Sequence, residues 1–291
     1  MRVFTTIVVM FLLSTGFLKA EDEHLVWMGC GISKKAYMGE MAKVYEKETG
    51  IKFRMAGGGA TKGIRLAAKN EADIGGTCRY ILLTPNGAAD ETENVDMIHV
   101  GWDALAVVVN KANPVDGLTV KQVQRVFQRK LRHWRSVGGP DELIELVVRK
   151  GKISGVGRLF RQLILNDEDY EFSESASFFR SSGPLEKNLL KRKSFEYGIG
   201  VTGISSAKRT DLKVLKINGV APTKENIASG TYPYFRPLYL AMNKNARKEA
   251  KDFVEFVLSE QGQKIIDRAG TVNLAKGKKL EKLWVEKGFP L

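Results

Sequence analysis

The sequence predicts an α/β protein whose sheets carry helices on both faces. Short apolar or alternating runs that read as strands recur along the chain, and segments of helical period fall between them. Length and composition agree: 291 residues, 43% hydrophobic and 27% charged, suit one large domain or two modest lobes with cores of their own.

Taken in order, "HLVWMG" reads as a buried strand, and "KKAYMGEMAKVYEKETG" as a helix that places Tyr37, Met41, Val44 and Tyr45 on one face and stops at Gly50. "IKFRMA" alternates as a strand, "GGGATKG" opens a helix, and "ADIGG" is a third short strand. "MIHVG" and "ALAVVVN" follow as two further strands, and then "TVKQVQRVFQ" as a helix capped by Thr119. "LIELVVR" is a strand that leads into the helix "SGVGRLFRQLIL". "YGIGVTG", "KVLKI" and "PLYLAMN" are strands, and "ARKEAKDFVEFVLSEQGQKIIDRAG" is one long amphipathic helix.

The first twenty residues stand apart. Arg2 precedes an apolar run that ends at Ala20, just before the acidic "EDEH", which is the layout of a cleaved signal peptide over 1–20. The run is short for a membrane span and ends in no lipoprotein cysteine, so the mature chain is expected to be exported to the periplasm and soluble there. The formal charge of +13, or +11 once Arg2 and Lys19 leave with the leader (13 − 2), favours anionic partners in general. The basic residues are spread along the chain, and no zinc-knuckle, RNA-binding or basic-zipper pattern accompanies them, so nucleic acid is not expected as a partner.

In an open α/β sheet ligands sit beyond the carboxyl ends of strands. Four loops occupy that position, "GCGISK", "GGGATKG", "GTCR" and "RKGKIS", and each combines small residues with hydroxyls or basic side chains. Together they can offer N–H and O–H donors and a guanidinium to a buried oxyanion. "GGGATKG" is not a nucleotide P-loop, because Lys62 precedes Gly63 and no hydroxyl follows for magnesium. His24, His99 and His133 are scattered without metal-ligand spacing, and no G-x-S-x-G elbow exists, so neither a metal, a cofactor nor an enzyme is expected.

The segment from "LKINGVAPTKENIASGTYPYFRPLYLAMN" to "EQGQKIIDRAGTVNL" resembles the phosphate-binding subunits of bacterial ABC importers. So do "DALAVVVNKANPVDGLTVKQVQRVFQRKLRHWRSVGGPD" and "GGGATKGIRLAAKNEADIGGTCR". The likeness runs from about Trp27 to about Leu274. It implies a two-lobe, periplasmic binding protein-like type II fold with two hinge crossings. One lobe would comprise 21–103 and 236–291, and the other 104–235. It further implies a monomer that binds a small inorganic oxyanion, phosphate foremost, and hands it to the membrane subunits of an importer. The same fold with a degenerate site, serving a sensory or interaction role, is the alternative, and a phosphatase a more distant one.

By the same resemblance the ligand-binding residues are Ser33, Ala60, Thr61, Cys78, Arg79, Arg149, Ser154 and Gly155. Ala60 stands where the family usually has serine and Val156 where it has threonine. Cys78 stands where transport members often carry an aspartate, while a second subgroup has serine followed by arginine there. Each lost donor to a buried anion costs roughly 1.5–3 kcal/mol, so another anion, a weaker site, or compensation by Lys34, Lys62 or Lys152 is implied. Export, an even cysteine count and the family's strand order make a Cys30–Cys78 disulfide the expectation, with two free thiols beside the anion as the competing reading.

Overall fold

A computed structural model describes residues 24–82 and 93–291, so the expected signal peptide at 1–20 lies outside the described residues. Strand β1 (His24–Gly29) runs into a continuous helical stretch made of α1 (Gly31–Ser33), a π turn over Lys34–Met38 and α2 (Gly39–Thr49). Gly50 ends that stretch because the left-handed φ of 78° there favours glycine. Strand β2 (Lys52–Gly57), helix α3 (Ala60–Ala68) and strand β3 (Ile74–Thr77) follow.

Strand β4 (Val95–Val109) departs from the sequence reading. "MIHVG" and "ALAVVVN" are not two strands but one of 15 residues, continuous through Trp102 and Asp103. The reason is non-local. The long strand near the C-terminus lies antiparallel along Val95 to Ala104 and keeps the backbone extended across the join.

After β4 come a two-residue strand β5 (Gly117–Leu118) and helix α4 (Val120–Phe127). Thr119 and Gln122 close a reciprocal capping box at the start of α4. Strand β6 (Glu145–Arg149) leads to α5 (Gly155–Phe160), which continues as a π turn over Arg161–Leu165. Strand β7 (Ser177–Phe179), helix α6 (Ser182–Lys191), strand β8 (Gly198–Gly203) and the short α7 (Ile204–Ala207) come next. "KVLKI" divides into β9 (Lys213–Val214) and β10 (Lys216–Ile217), which pair with β4 and β5 respectively. Helix α8 (Lys224–Ala228) precedes the long strand β11 (Phe235–Asn243).

The C-terminal amphipathic segment is two helices, α9 (Lys248–Leu258) and α10 (Glu260–Arg268), followed by α11 (Lys278–Glu286). Ser259 breaks the expected single helix. Its backbone is extended, and its hydroxyl accepts the Gly262 N–H, so it starts α10 as an N-cap.

The sheet order is β2-β1-β3-β11-β4-β8-β6-β7, with β9 also on β4. β11 and β4 form the middle: β4 pairs with β11 up to Ala104 and with β8 from Leu105 onward. On the β1 side the outer strands are parallel, as they are on the β6 side. The carboxyl ends of β1, β2, β3 and β6 therefore run into the four loops singled out in the sequence. Trp27, Trp102, Trp134 and Trp284 are all buried in the core. Among the described residues, no helix is long and apolar enough to cross a membrane.

Candidate anion-binding site

The strand-end loops enclose a cavity of about 490 Å³, lined by residues from both sides of the sheet. Cys30, Gly31 and Ile32 reach it from the start of α1. Gly57, Gly58, Gly59 and Ala60 come from the start of α3, and Cys78 from beyond β3. From the other side come Arg149 at the end of β6, Ser154 to Val156 at the start of α5, and Arg180 to Gly183 at the start of α6. The helical stretches begin with N–H groups that have no intrahelical acceptor, and a helix N-terminus carries partial positive charge, so the wall is rich in donors. No carboxylate of the described residues lines it.

Arg149 dominates one wall. Its guanidinium is buried, with Nη1 donating to Ser182 Oγ at 2.9 Å and Nη2 to the Arg180 carbonyl at 2.6 Å. Its Nε has no protein partner. Burial pulls the Arg149 pKa down, opposed by the charges of Cys78 and Cys30. Ser154 caps α5 by accepting the Gly157 N–H at 3.0 Å.

The eight sequence-predicted residues separate into two groups. Ala60, Cys78, Arg149, Ser154 and Gly155 line the cavity together. Ser33 lies beneath the lining, fully buried, with its Oγ 3.1 Å from Cys30 Sγ. Thr61 and Arg79 stand to the side and tie the two loops together. Thr61 Oγ1 and Arg79 Nε both donate to the Ile153 carbonyl, at 2.9 and 3.2 Å, and Arg79 Nη2 donates to Thr61 Oγ1. Burial lowers Arg79 to about 10, so it stays charged at neutral pH. Of the three lysines considered as compensation, Lys152 is engaged by Asp169 and Glu171.

The start of α6 was missed. The stretch "SSGPLEK" carries its signal, two serines and a proline just inside a helix with leucines at helical spacing.

The disulfide expectation is corrected. Cys30 and Cys78 are both free, and they approach to 3.6 Å, well beyond the ~2.05 Å of a sulfur–sulfur bond. The cause is local. Cys30 is the N-cap of α1, with its Sγ accepting the Ser33 N–H at 3.3 Å, so the thiol is held by the helix end. A hydrogen bond from Cys78 is the main influence that brings Cys30 down to about 6. Ser33 and the Arg236 charge assist, and burial opposes. The same hydrogen bond and burial push Cys78 up.

Behind the cavity Arg236 and Asp103 form a fully buried pair at a β4–β11 register position, with Arg236 Nη2 2.7 Å from Asp103 Oδ2. Asp103 Oδ1 accepts the Ser205 backbone N–H at 3.0 Å and the Ser205 hydroxyl. Arg236 Nη1 has no partner. A second polar bridge crosses near the site. Lys35 Nζ donates to Glu186 Oε2 at 2.9 Å and to Ser206 Oγ at 2.8 Å, and Thr202 donates to the other Glu186 oxygen.

The PBP superfamily domain profile matches residues 30–261. The chain is 26% identical to the phosphate-binding protein PstS of Borreliella burgdorferi, over 92% of this chain and 98% of that protein. Among solved structures it is similar to an ABC-type phosphate transport receptor from Vibrio cholerae, at 27% identity and a TM-score of 0.62, covering 85% of this chain and 99% of that one. In fold it also matches a substrate-binding protein from Clostridium perfringens solved with bound phosphate. The TM-score there is 0.76 at 24% identity, over 86% of this chain and 99% of that one.

Proposed function

The chain belongs to the PBP superfamily, and from that membership we propose that it is an extracytoplasmic solute-binding protein that captures a tetrahedral oxyanion, phosphate foremost, for an ABC importer. The observation that carries the reading is the cavity itself: a buried guanidinium with an unpartnered Nε, facing helix starts whose N–H groups need acceptors, and no carboxylate among the described lining residues. The relatives named for phosphate binding agree. Retention of Arg149 and of these helix starts disfavours a degenerate site. The chain's role is binding and delivery, not catalysis, and its leader at 1–20 is removed on export to the periplasm.

The lobes would be 21–103 with 236–291, and 104–235, joined by β4 and β11. The anion would sit between them with Arg149 gripping two of its oxygens, while Ser154 and the helix-start N–H groups serve the others. Closure would bring the Thr61–Arg79 pair and the Ile153 carbonyl together, and their hydrogen bonds support this reading. Isothermal calorimetry on dialysed protein tests the reading. Heat is expected with phosphate, and none with phosphate, arsenate, sulfate or molybdate at millimolar concentration would refute it.

A further inference from the structure

Beyond anion capture, we propose that Cys30 and Cys78 form a dithiol site that covalently takes a trivalent, thiophilic oxyacid, for which arsenite is the probe. The two are the only cysteines in the chain, they lie 3.6 Å apart, and both line the cavity, so a small solute that enters it meets both sulfurs at once. Element–sulfur bonds of about 2.3 Å, the zinc–thiolate length, make sulfurs so placed subtend about 100° at a shared atom. That angle suits a pyramidal centre with three single bonds and is far from the straight angle of a two-coordinate metal. A tetrahedral metal would need further ligands, and among the described residues no group of three metal-binding side chains exists. Gly155 keeps the approach open, because a Cβ there would lie 2.6 Å from Cys78 Sγ.

The step is condensation without redox. Two S–H bonds and two As–O bonds break, two As–S bonds form, and the released hydrogens and hydroxyls leave as two waters while arsenic stays trivalent. One hydroxyl remains on arsenic, and the wall that surrounds it supplies donors from Arg149, Ser154 and the start of α6. Attack begins from the thiolate, and the hydrogen bond from Cys78, which lowers Cys30, favours Cys30 as the attacking sulfur.

Adduct formation does not depend on the anion reading; only protection by phosphate does. The reduced full chain is incubated with sodium arsenite and its intact mass read under native conditions, beside Cys30→Ser and Cys78→Ser. One arsenic per chain, loss of two titratable thiols, and no stable adduct in either variant are expected. Phosphate at ten times its Kd should slow the reaction about tenfold. Absence of an adduct in the wild type at millimolar arsenite, or an undiminished yield in either variant, overturns the proposal. An adduct on protein that gives no heat with phosphate would uphold the dithiol site and sink the anion reading instead.

Discussion

Replacing Asp103 by asparagine keeps the side chain's shape and removes its charge, which leaves Arg236 ionised at a position fully closed to water. Arg236 loses a charge-assisted pair of hydrogen bonds, from Nε at 3.2 Å and Nη2 at 2.7 Å, and its Nη1 already lacks a partner. It cannot swing aside, because even a Cβ at Gly203 would lie 2.5 Å from Nη2, so the site has no slack. Breaking a buried pair from one side costs about 3–5 kcal/mol, because the remaining charge is uncompensated. For a chain of this size that lowers the melting temperature by roughly 6–20 °C. Urea and thermal unfolding of Asp103→Asn should show the loss, and the double variant Asp103→Leu with Arg236→Met should recover most of it. A loss under about 1 kcal/mol in the single variant would show that water or a neighbour relieves Arg236, and the reasoning would fail.

Arg149→Ala should weaken phosphate binding by roughly 10²-fold or more, since two charge-assisted hydrogen bonds at about 1.5–3 kcal/mol each are removed; calorimetry giving the wild-type Kd would refute its role. Gly155→Ala drives a methyl to within 2.6 Å of Cys78 Sγ and should hold the facing loops apart. Its affinity should drop by about tenfold or more, with Cys78→Ala restoring it. His99 is lowered to about 4 by burial, against the hydrogen bond to the Gly101 carbonyl that raises it. Its folded pKa lies below its unfolded value of 6.5, so the stability it contributes is complete above pH 6.5 and is lost as pH falls toward 4. Urea midpoints across that window should fall by the equivalent of roughly 3 kcal/mol, and His99→Phe should flatten the profile. Lys35→Met removes two bonds to a buried carboxylate and its neighbour, and a double-mutant cycle with Glu186→Gln should return a coupling of about 1–3 kcal/mol.

What the sequence made legible was local. β1 matches "HLVWMG" residue for residue, the Thr119 cap is present, and the glycine loop does open a helix. What it hid depended on distant partners or on one backbone choice. Nothing near Gly101 says that β4 continues, because the strand that holds it extended lies over a hundred residues away. Nothing in "FVLSEQG" distinguishes a helical serine from a capping one, since serine serves both. In the candidate site, spacing after strands pointed to loops that the structure places around one cavity. It could not show that Thr61 and Arg79 spend their donors on Ile153, or that Cys30 caps a helix instead of bonding to Cys78. Those outcomes turn on side-chain rotamers.

The fifteen-residue strand β4 belongs to both halves of the sheet, changing partner between Ala104 and Leu105 without a break in its own backbone. The two halves are therefore not beads on a string. A cut after residue 104 would take the Val95–Ala104 stretch away from β11 and expose a raw, apolar edge along it. Melting should then run as one calorimetric peak, and the slowest amides to exchange should lie in the shared ribbon and not in either half alone. Any motion of one half against the other must be borne as twist along a hydrogen-bonded strip, which acts as a spring with a preferred shape and not as a slack joint.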